Sequence, residues 1–220
     1  MIAVAEHPVL FSTPMSAAIR LNLKTQTRRL VNPAPSWTSA KELCATTSDG
    51  FQTVGHSGRW DDPSDAGGCA RRCPYGVPGD LLWVRETWAL PEHWDHNTKS
   101  GSDIPFMADS YTGPVYWRAD GEAQPGRGRW RSPYHLPRVL VRTLLRVTAV
   151  LVERLQAITL NDCMAEGMRP EERDRALATF TGNDYARGWF RALWDSINGG
   201  RAAWASNPWV FAVSFQRVTR

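Results

Sequence analysis

The chain has no apolar run long enough to cross a bilayer, so no transmembrane helix is expected. Its first residues carry Glu6 and His7 with no basic flank before an apolar segment, which does not read as a secretory signal; the cytoplasm is the expected compartment, with no membrane partner. Cysteine is sparse: Cys44, Cys69, Cys73 and Cys163, at uneven spacing, make no disulfide framework. Lysine is sparser still, at Lys24, Lys41 and Lys99 only, so arginine supplies nearly all the positive charge. There is no internal repeat, P-loop, dinucleotide fingerprint or Ser-centred nucleophile elbow, which argues against nucleoside-triphosphate, dinucleotide-cofactor and serine-hydrolase chemistry.

What is present fits a single globular domain. At 220 residues the chain can bury one core, and its 42% apolar content is ordinary. Eleven tryptophans are not ordinary; after the core takes its share, several remain to line a groove or stack on a base. A net charge of +4 suits a nucleotide or nucleic-acid partner without requiring one. The oligomeric state is not legible.

The most chemically loaded stretch is Asn22 to Arg29, which holds an amine, two hydroxyls and two guanidinium groups. Before it, Pro14 to Leu23 reads as a helix with Thr13 as N-cap and Pro14 at its first position. After it, Leu30-Val31 reads as a short strand ended by Asn32-Pro33. Asn22 tolerates a left-handed backbone and can close the helix. Lys24 can lose its proton when desolvated or placed near cations such as Arg28 and Arg29, whereas arginine cannot. A neutral Lys24 can accept the proton of Thr27. The same residues also suit a solvated basic turn that binds phosphate or nothing.

Pro8 to Phe11 reads as a first strand. From Pro33 to Pro78 periodicity disappears, and this stretch is expected to be a long loop insertion. A zinc staple from Cys44, His56, Cys69 and Cys73 is one way to hold it; free thiols in a loop are the other. Pro78-Gly79-Asp80 is a turn launching a strand from Leu81 to Trp88, whose end carries Arg85 and Glu86, either pocket groups or an ordinary ion pair. Residues 90–114 read as a second insertion. In Arg129 to Arg138 aromatics interleave with arginines, as a base-stacking edge needs, and His135 is held between prolines; a surface loop with a packed Trp130 is the alternative. Val139 to Leu155 is the longest strand signal, with Val141, Thr143, Leu145, Val147, Ala149 and Leu151 on one face. Thr159 to Asp162 opens a short helix with a capping-box pattern that ends at Glu166-Gly167. A carboxylate in a last helical turn is mildly disfavoured by the helix dipole, so something else should hold Glu166; Glu153 is the fallback carboxylate. Asn183 caps an amphipathic helix presenting Tyr185, Trp189, Phe190, Leu193, Trp194 and Ile197, ended by Gly199-Gly200. Trp209 to Phe215 is the closing strand.

Lys24-x-x-Thr27-x-Arg29 resembles the signature of the ASCH-domain family, a PUA-like β-barrel. The family's usual glycine two residues before the lysine is Asn22 here. In site chemistry the resemblance is closest to bacterial N4-acetylcytidine amidohydrolases. It implies a catalytic set of Lys24, Thr27 and Glu166, with Ala165-Glu166-Gly167-Met168 matching the family's glutamate placement. Over most of its length the chain is similar to phage-encoded ASCH-like proteins, through Lys24 to Arg29, Cys73 to Gly76, Pro78 to Glu86 and Asn207 to Val210; a phage origin would imply the host cytoplasm. The fold implied is α+β: a PUA-like barrel with flanking helices over residues 1–220, with insertions near 33–78 and 90–114.

Two functions follow. One is an amidohydrolase acting on an acylated exocyclic amine of a cytosine nucleoside. In it Thr27 attacks, Lys24 takes its proton, Glu166 assists, and Arg29 or Arg85 steadies the oxyanion; Arg29, Arg85, Glu86 and His135 are the candidate substrate-binding groups, and no metal or organic cofactor is required. The other is an RNA- or modified-base-binding module without catalysis.

Overall fold

The computed structural model describes residues 4–32, 43–46, 51–55, 69–95, 111–178 and 181–218, with 43–46, 51–55 and 69–72 given by their backbone alone. The described strands are β1 (Glu6–Leu10), β2 (Gln26–Leu30), β3 (Leu43–Thr46), β4 (Phe51–Gly55), β5 (Cys69–Arg72), β6 (Leu81–Arg85), β7 (Trp88–Ala89), β8 (Tyr116–Trp117), β9 (Leu144–Arg154) and β10 (Trp209–Val218). The helices are α1 (Thr13–Arg20), α2 (Glu92–Asp95), α3 (Leu160–Ala165), α4 (Pro170–Ala178) and α5 (Gly182–Asn198).

The class is α+β. Five strands form one mixed sheet in the order β1-β6-β9-β10-β2, parallel only between β1 and β6. The expected barrel does not close: among the described residues no backbone ladder joins the edge strands β1 and β2. Side chains span that gap instead. Arg29 of β2 donates through Nη2 to the carbonyl of Leu10 at the end of β1, and its guanidinium lies 5.2 Å from the Phe11 ring.

Both faces of the sheet are covered. One buries Val9, Leu82, Val84, Leu145, Phe211 and their neighbours with Ile19 of α1. The other, carrying Val210, packs on α3 and α5 through Cys163, Ala186, Phe190 and Trp194. A third, smaller core gathers Trp88, Leu90, Trp117, Leu136 and Val141.

Several expectations shift. The α1 cap is Ser12, without a side-chain hydrogen bond, and the helix stops at Arg20. Asn22 then adopts the left-handed backbone anticipated for it, with φ of 57°. The strand signal beginning at Val139 starts at Leu144, because Arg138–Leu140 form a 3-10 turn after Pro137. Its buried face also switches. Leu145 and Val147 point into the core, then Val150 and Val152 do, while Leu151 is exposed. A register shift opposite Ser214 and Phe215 inserts one extra residue, Thr148, and a bulge of that kind turns the alternation over. In α5 the residue at the cap is Thr181, and the buried stripe is Ala186, Phe190, Trp194 and Asn198; Tyr185 and Ile197 face outward. The segment 33–78 is not a structureless loop: it contains the antiparallel sheet β3-β4-β5. Its strands mix Thr, Gln, Arg and Cys with few large apolar residues, so they give no alternating signal. No described helix is long and apolar enough to cross a membrane.

Candidate functional site

The site is assembled where the chain leaves α1. Asn22 turns the backbone, and the amides of Leu23 and Lys24 both donate to the Ala18 carbonyl, at 2.9 and 3.3 Å. Thr25 then donates to the Ala165 carbonyl and accepts from the Phe215 amide, each at 2.8 Å. Lys24 forms an isolated antiparallel bridge with Glu166, so residues 142 apart in sequence meet through their backbones before their side chains are considered. On the far side α3 is fixed by the capping box: Thr159 Oγ1 accepts from the Asp162 amide, and the Asp162 carboxylate accepts from the Thr159 amide. Gly167 has φ of +102°, and a Cβ there would sit 3.3 Å from that of Lys24. The positive φ favours glycine there, and any side chain would also press on Lys24.

Lys24 is fully buried. Its Nζ donates to Glu166 Oε2 at 2.6 Å and to the Glu166 carbonyl at 2.8 Å. The cation thus answers the dipole problem of Glu166 twice, pairing its carboxylate and covering a carbonyl at the helix end. Arg28 completes the group. Its guanidinium reaches Glu166 at 3.3 Å, Glu153 at 2.6 Å and Asp162 at 3.2 Å, and donates to Gln26 Oε1 at 2.7 Å. Glu153, the fallback carboxylate, is thus in the same network, linked to Lys24 through Arg28 and Glu166.

Burial is the first cause that lowers the Lys24 pKa; Glu166 opposes it, and Arg29 and Arg28 add to it. The arginine effect expected from sequence is therefore present but secondary. For Asp162, burial pushes upward, yet the hydrogen bonds from Thr159 and the charge of Arg28 prevail and hold it below the usual carboxylate range. The thiols of Cys73 and Cys163 are pushed up by burial, to about 11 and about 12, and neither is poised as a thiolate.

A cavity of about 960 Å³ opens beside β2 at the gap between the sheet edges. Thr27, Arg28, Arg29 and Glu166 lie on its wall. Phe11, Tyr75, Trp194 and Trp209 give it aromatic faces, and Arg154 and Arg201 add charge. Lys24 is not on the wall; it sits behind Glu166. Among the described residues no hydrogen bond joins Lys24 to Thr27.

The remaining candidates lie elsewhere. Glu86 is buried in a bidentate pair with Arg142, at 2.8 and 2.9 Å, and does not line the cavity. Arg85 stacks on Trp83, 4.5 Å from the ring centre. His135 is exposed on the Pro133–His135 turn. In the arginine-aromatic stretch Trp130 is used internally: Arg127 covers it at 4.3 Å, and its Nε1 donates to Glu122 at 3.0 Å. Of the four zinc candidates, His56 and the side chains of Cys44 and Cys69 lie outside the described residues, while Cys73 is a buried free thiol in the main core.

Among the members of the cavity wall that sequence reasoning missed are Tyr75, Trp209, Arg154 and Arg201. Tyr75 sits 5.8 Å from the Arg29 guanidinium; the signal for it was the Cys73–Gly76 block. Trp209 stacks with Arg154 at 4.4 Å. Arg154 and Arg201 had no local signal, because a single arginine at a strand or helix end looks like any solvated charge. No family model matches this chain, and no curated protein or solved structure matches it either.

Proposed function

We propose that this chain is an amidohydrolase that removes an acyl group from the exocyclic amine of a cytosine nucleoside, on an ASCH-like, PUA-like fold. One observation carries the reading: the fully buried Lys24–Glu166 pair stands directly behind a cavity on whose wall Thr27 and Glu166 both lie. Thr27 Oγ1 attacks the amide carbonyl and forms the new C–O bond. Its proton passes to the Lys24–Glu166 pair, of which Glu166 faces the cavity. Collapse breaks the C–N bond, and the pair returns the proton to the departing amine. Water then cleaves the threonyl ester, giving the free carboxylic acid and the nucleoside. Burial supports the proton step, since it brings the neutral amine of Lys24 closer in energy to the ammonium. The side chains would have to close on Thr27 when substrate binds, as catalytic hydrogen bonds often do. The Arg29 contact between the edge strands β2 and β1 supports a relation to a PUA-like barrel, here left open at the cavity.

A second reading, a binding module for RNA or a modified base, is favoured by a different observation: Lys24 is spent on Glu166, while the wall is arginine and aromatic. An amide-hydrolysis assay on a panel of N4-acylated cytidines, run beside RNA binding, tests both. The enzyme reading expects turnover that Thr27→Ala abolishes and Thr27→Ser partly keeps. Binding without turnover on any panel member overturns it.

A further inference from the structure

Arg29, which the sequence offered for the oxyanion or for substrate binding, takes no part in the proton path through Thr27, Lys24 and Glu166, and its surroundings point to a more specific use. Arg28 and Arg29 are neighbours on β2 with opposite surroundings. Arg28 faces Glu153, Asp162 and Glu166. Arg29 has no carboxylate within ion-pair distance among the described residues. Its Nη2 is engaged by the Leu10 carbonyl, and its Nε is buried with no hydrogen-bond partner. The Phe11 and Tyr75 rings, 5.2 and 5.8 Å from it, offset only part of the lost hydration. Burial lowers the Arg29 pKa, Tyr75 and Glu166 oppose this, and the charge of Arg201 lowers it further. Arg201 lies on the same cavity wall, just past the end of α5, with its Nη2 donating to Asn198 Oδ1 at 3.0 Å. A guanidinium does not discharge by losing its proton. Two like charges that feel each other across a cavity are relieved by an anion between them.

We propose that Arg29 and Arg201 form an anion subsite for a phosphate group, which makes the substrate class a phosphorylated cytidine and not the free nucleoside. The base in this proposal rests on the amidohydrolase reading; the anion does not. The layout suits the division. Thr27 and Arg29, two residues apart on one strand, share a face about 7 Å apart along it, so an acylated amine at Thr27 leaves the sugar phosphate toward Arg29. The guanidinium fork matches phosphate oxygens, and Tyr75, beside Arg29, and the Arg154–Trp209 stack, past Arg29 along β2, offer flat faces on the same wall.

Calorimetry on the full chain at low salt tests this with inorganic phosphate, cytidine, cytidine 5′-monophosphate, and a cytidine dinucleotide with and without a 5′-phosphate. The monophosphate should bind at least about tenfold more tightly than cytidine, a gain expected of charge-assisted phosphate contacts, and salt should erode that gain. Arg29→Gln and Arg201→Gln should each bring the monophosphate down toward cytidine. Arg201 is exposed, so its variant keeps the test valid if Arg29→Gln fails to fold. The 5′-phosphorylated dinucleotide binding as tightly as the monophosphate would identify a polynucleotide end as the source; weaker binding would identify a free nucleotide; both support the subsite. Equal affinity for cytidine and its monophosphate, or a monophosphate affinity unchanged in folded Arg201→Gln, overturns it. The readout is binding, so the two readings fail separately. Phosphate preference in a protein that hydrolyses no acylated cytidine supports the subsite and removes the amidohydrolase. Hydrolysis with equal affinity and equal kcat/KM for N4-acetylcytidine and its 5′-monophosphate removes the subsite alone.

Discussion

Two buried glutamates, Glu86 and Glu166, show how little burial alone says about a site. Each carboxylate is almost wholly removed from solvent and paired with a cation. Glu86 is held in a fork by Arg142, which passes on to Asp120 at 2.6 Å and, through Asp120, to Arg20; Trp117 stacks on the same guanidinium at 4.6 Å. Every donor there is an arginine, whose charge is fixed, and none of these residues lines the cavity. Glu166 is paired with a lysine, whose proton can move, and it lies on a cavity wall beside a threonine. Glu86 is held by arginine alone, whereas Glu166 is held by Arg28 and by a lysine, the one cation of the three whose charge is not fixed.

The contrast is broken most severely through activity. Glu166→Gln should lower hydrolysis of an acylated cytidine by about 10²–10⁴-fold, the usual scale for losing an acid–base group, while Glu86→Gln leaves kcat within a few-fold, as measured on the same substrate. The next effect is on stability. Glu86→Gln should cost about 3 kcal/mol, the low end for a broken buried pair, because Arg142 reaches solvent and keeps Asp120; urea denaturation would measure it. A third effect is on pH. Burial holds the folded-state pKa of Lys24 below its ordinary 10.5. Between those two values the unfolded chain binds the extra proton, so stability rises with pH in that window. The stability difference between wild type and Lys24→Met should climb there by at most about 1.4 kcal/mol per pH unit and flatten above the unfolded value. A difference independent of pH would show that the lysine keeps its proton as firmly as an arginine. The smallest effect belongs to His135→Ala. His135 is exposed and does not line the cavity, although Pro133 of the same turn does, so stability should change by less than about 0.5 kcal/mol and hydrolysis should change by no more than a few-fold.

The parts of this arrangement that were legible in sequence are those with a local rule behind them. The left-handed Asn22, the Thr159–Asp162 capping box and the glycine after Glu166 each have a fixed backbone chemistry, and the misfit of Glu166 at a helix end said that something else should hold it. The meeting of Lys24 and Glu166 was reachable only through a resemblance, because nothing local links residues so far apart. What stayed hidden was collective. The bulge at Thr148 is set by pairing with β10 and reverses a face that simple alternation assigns. The open edge of the sheet, filled by Arg29, Phe11 and Tyr75, depends on how two strands end in space. The rotated face of α5 packs Ala186, Phe190 and Trp194 on the core and turns Asn198 toward Arg201 at the cavity, where a count of large apolar residues favours Tyr185 and Ile197.

The central claim is that Lys24 exchanges a proton, and the most direct measurement compares steady-state hydrolysis of N4-acetylcytidine by wild type, Lys24→Ala and Lys24→Arg. Both variants should lose about 10²–10⁴-fold in kcat, and Lys24→Arg should fare nearly as badly as Lys24→Ala, because guanidinium preserves the charge beside Glu166 but cannot accept a proton. A Lys24→Arg protein that turns over at the wild-type rate would contradict the account and leave Lys24 with a purely electrostatic role.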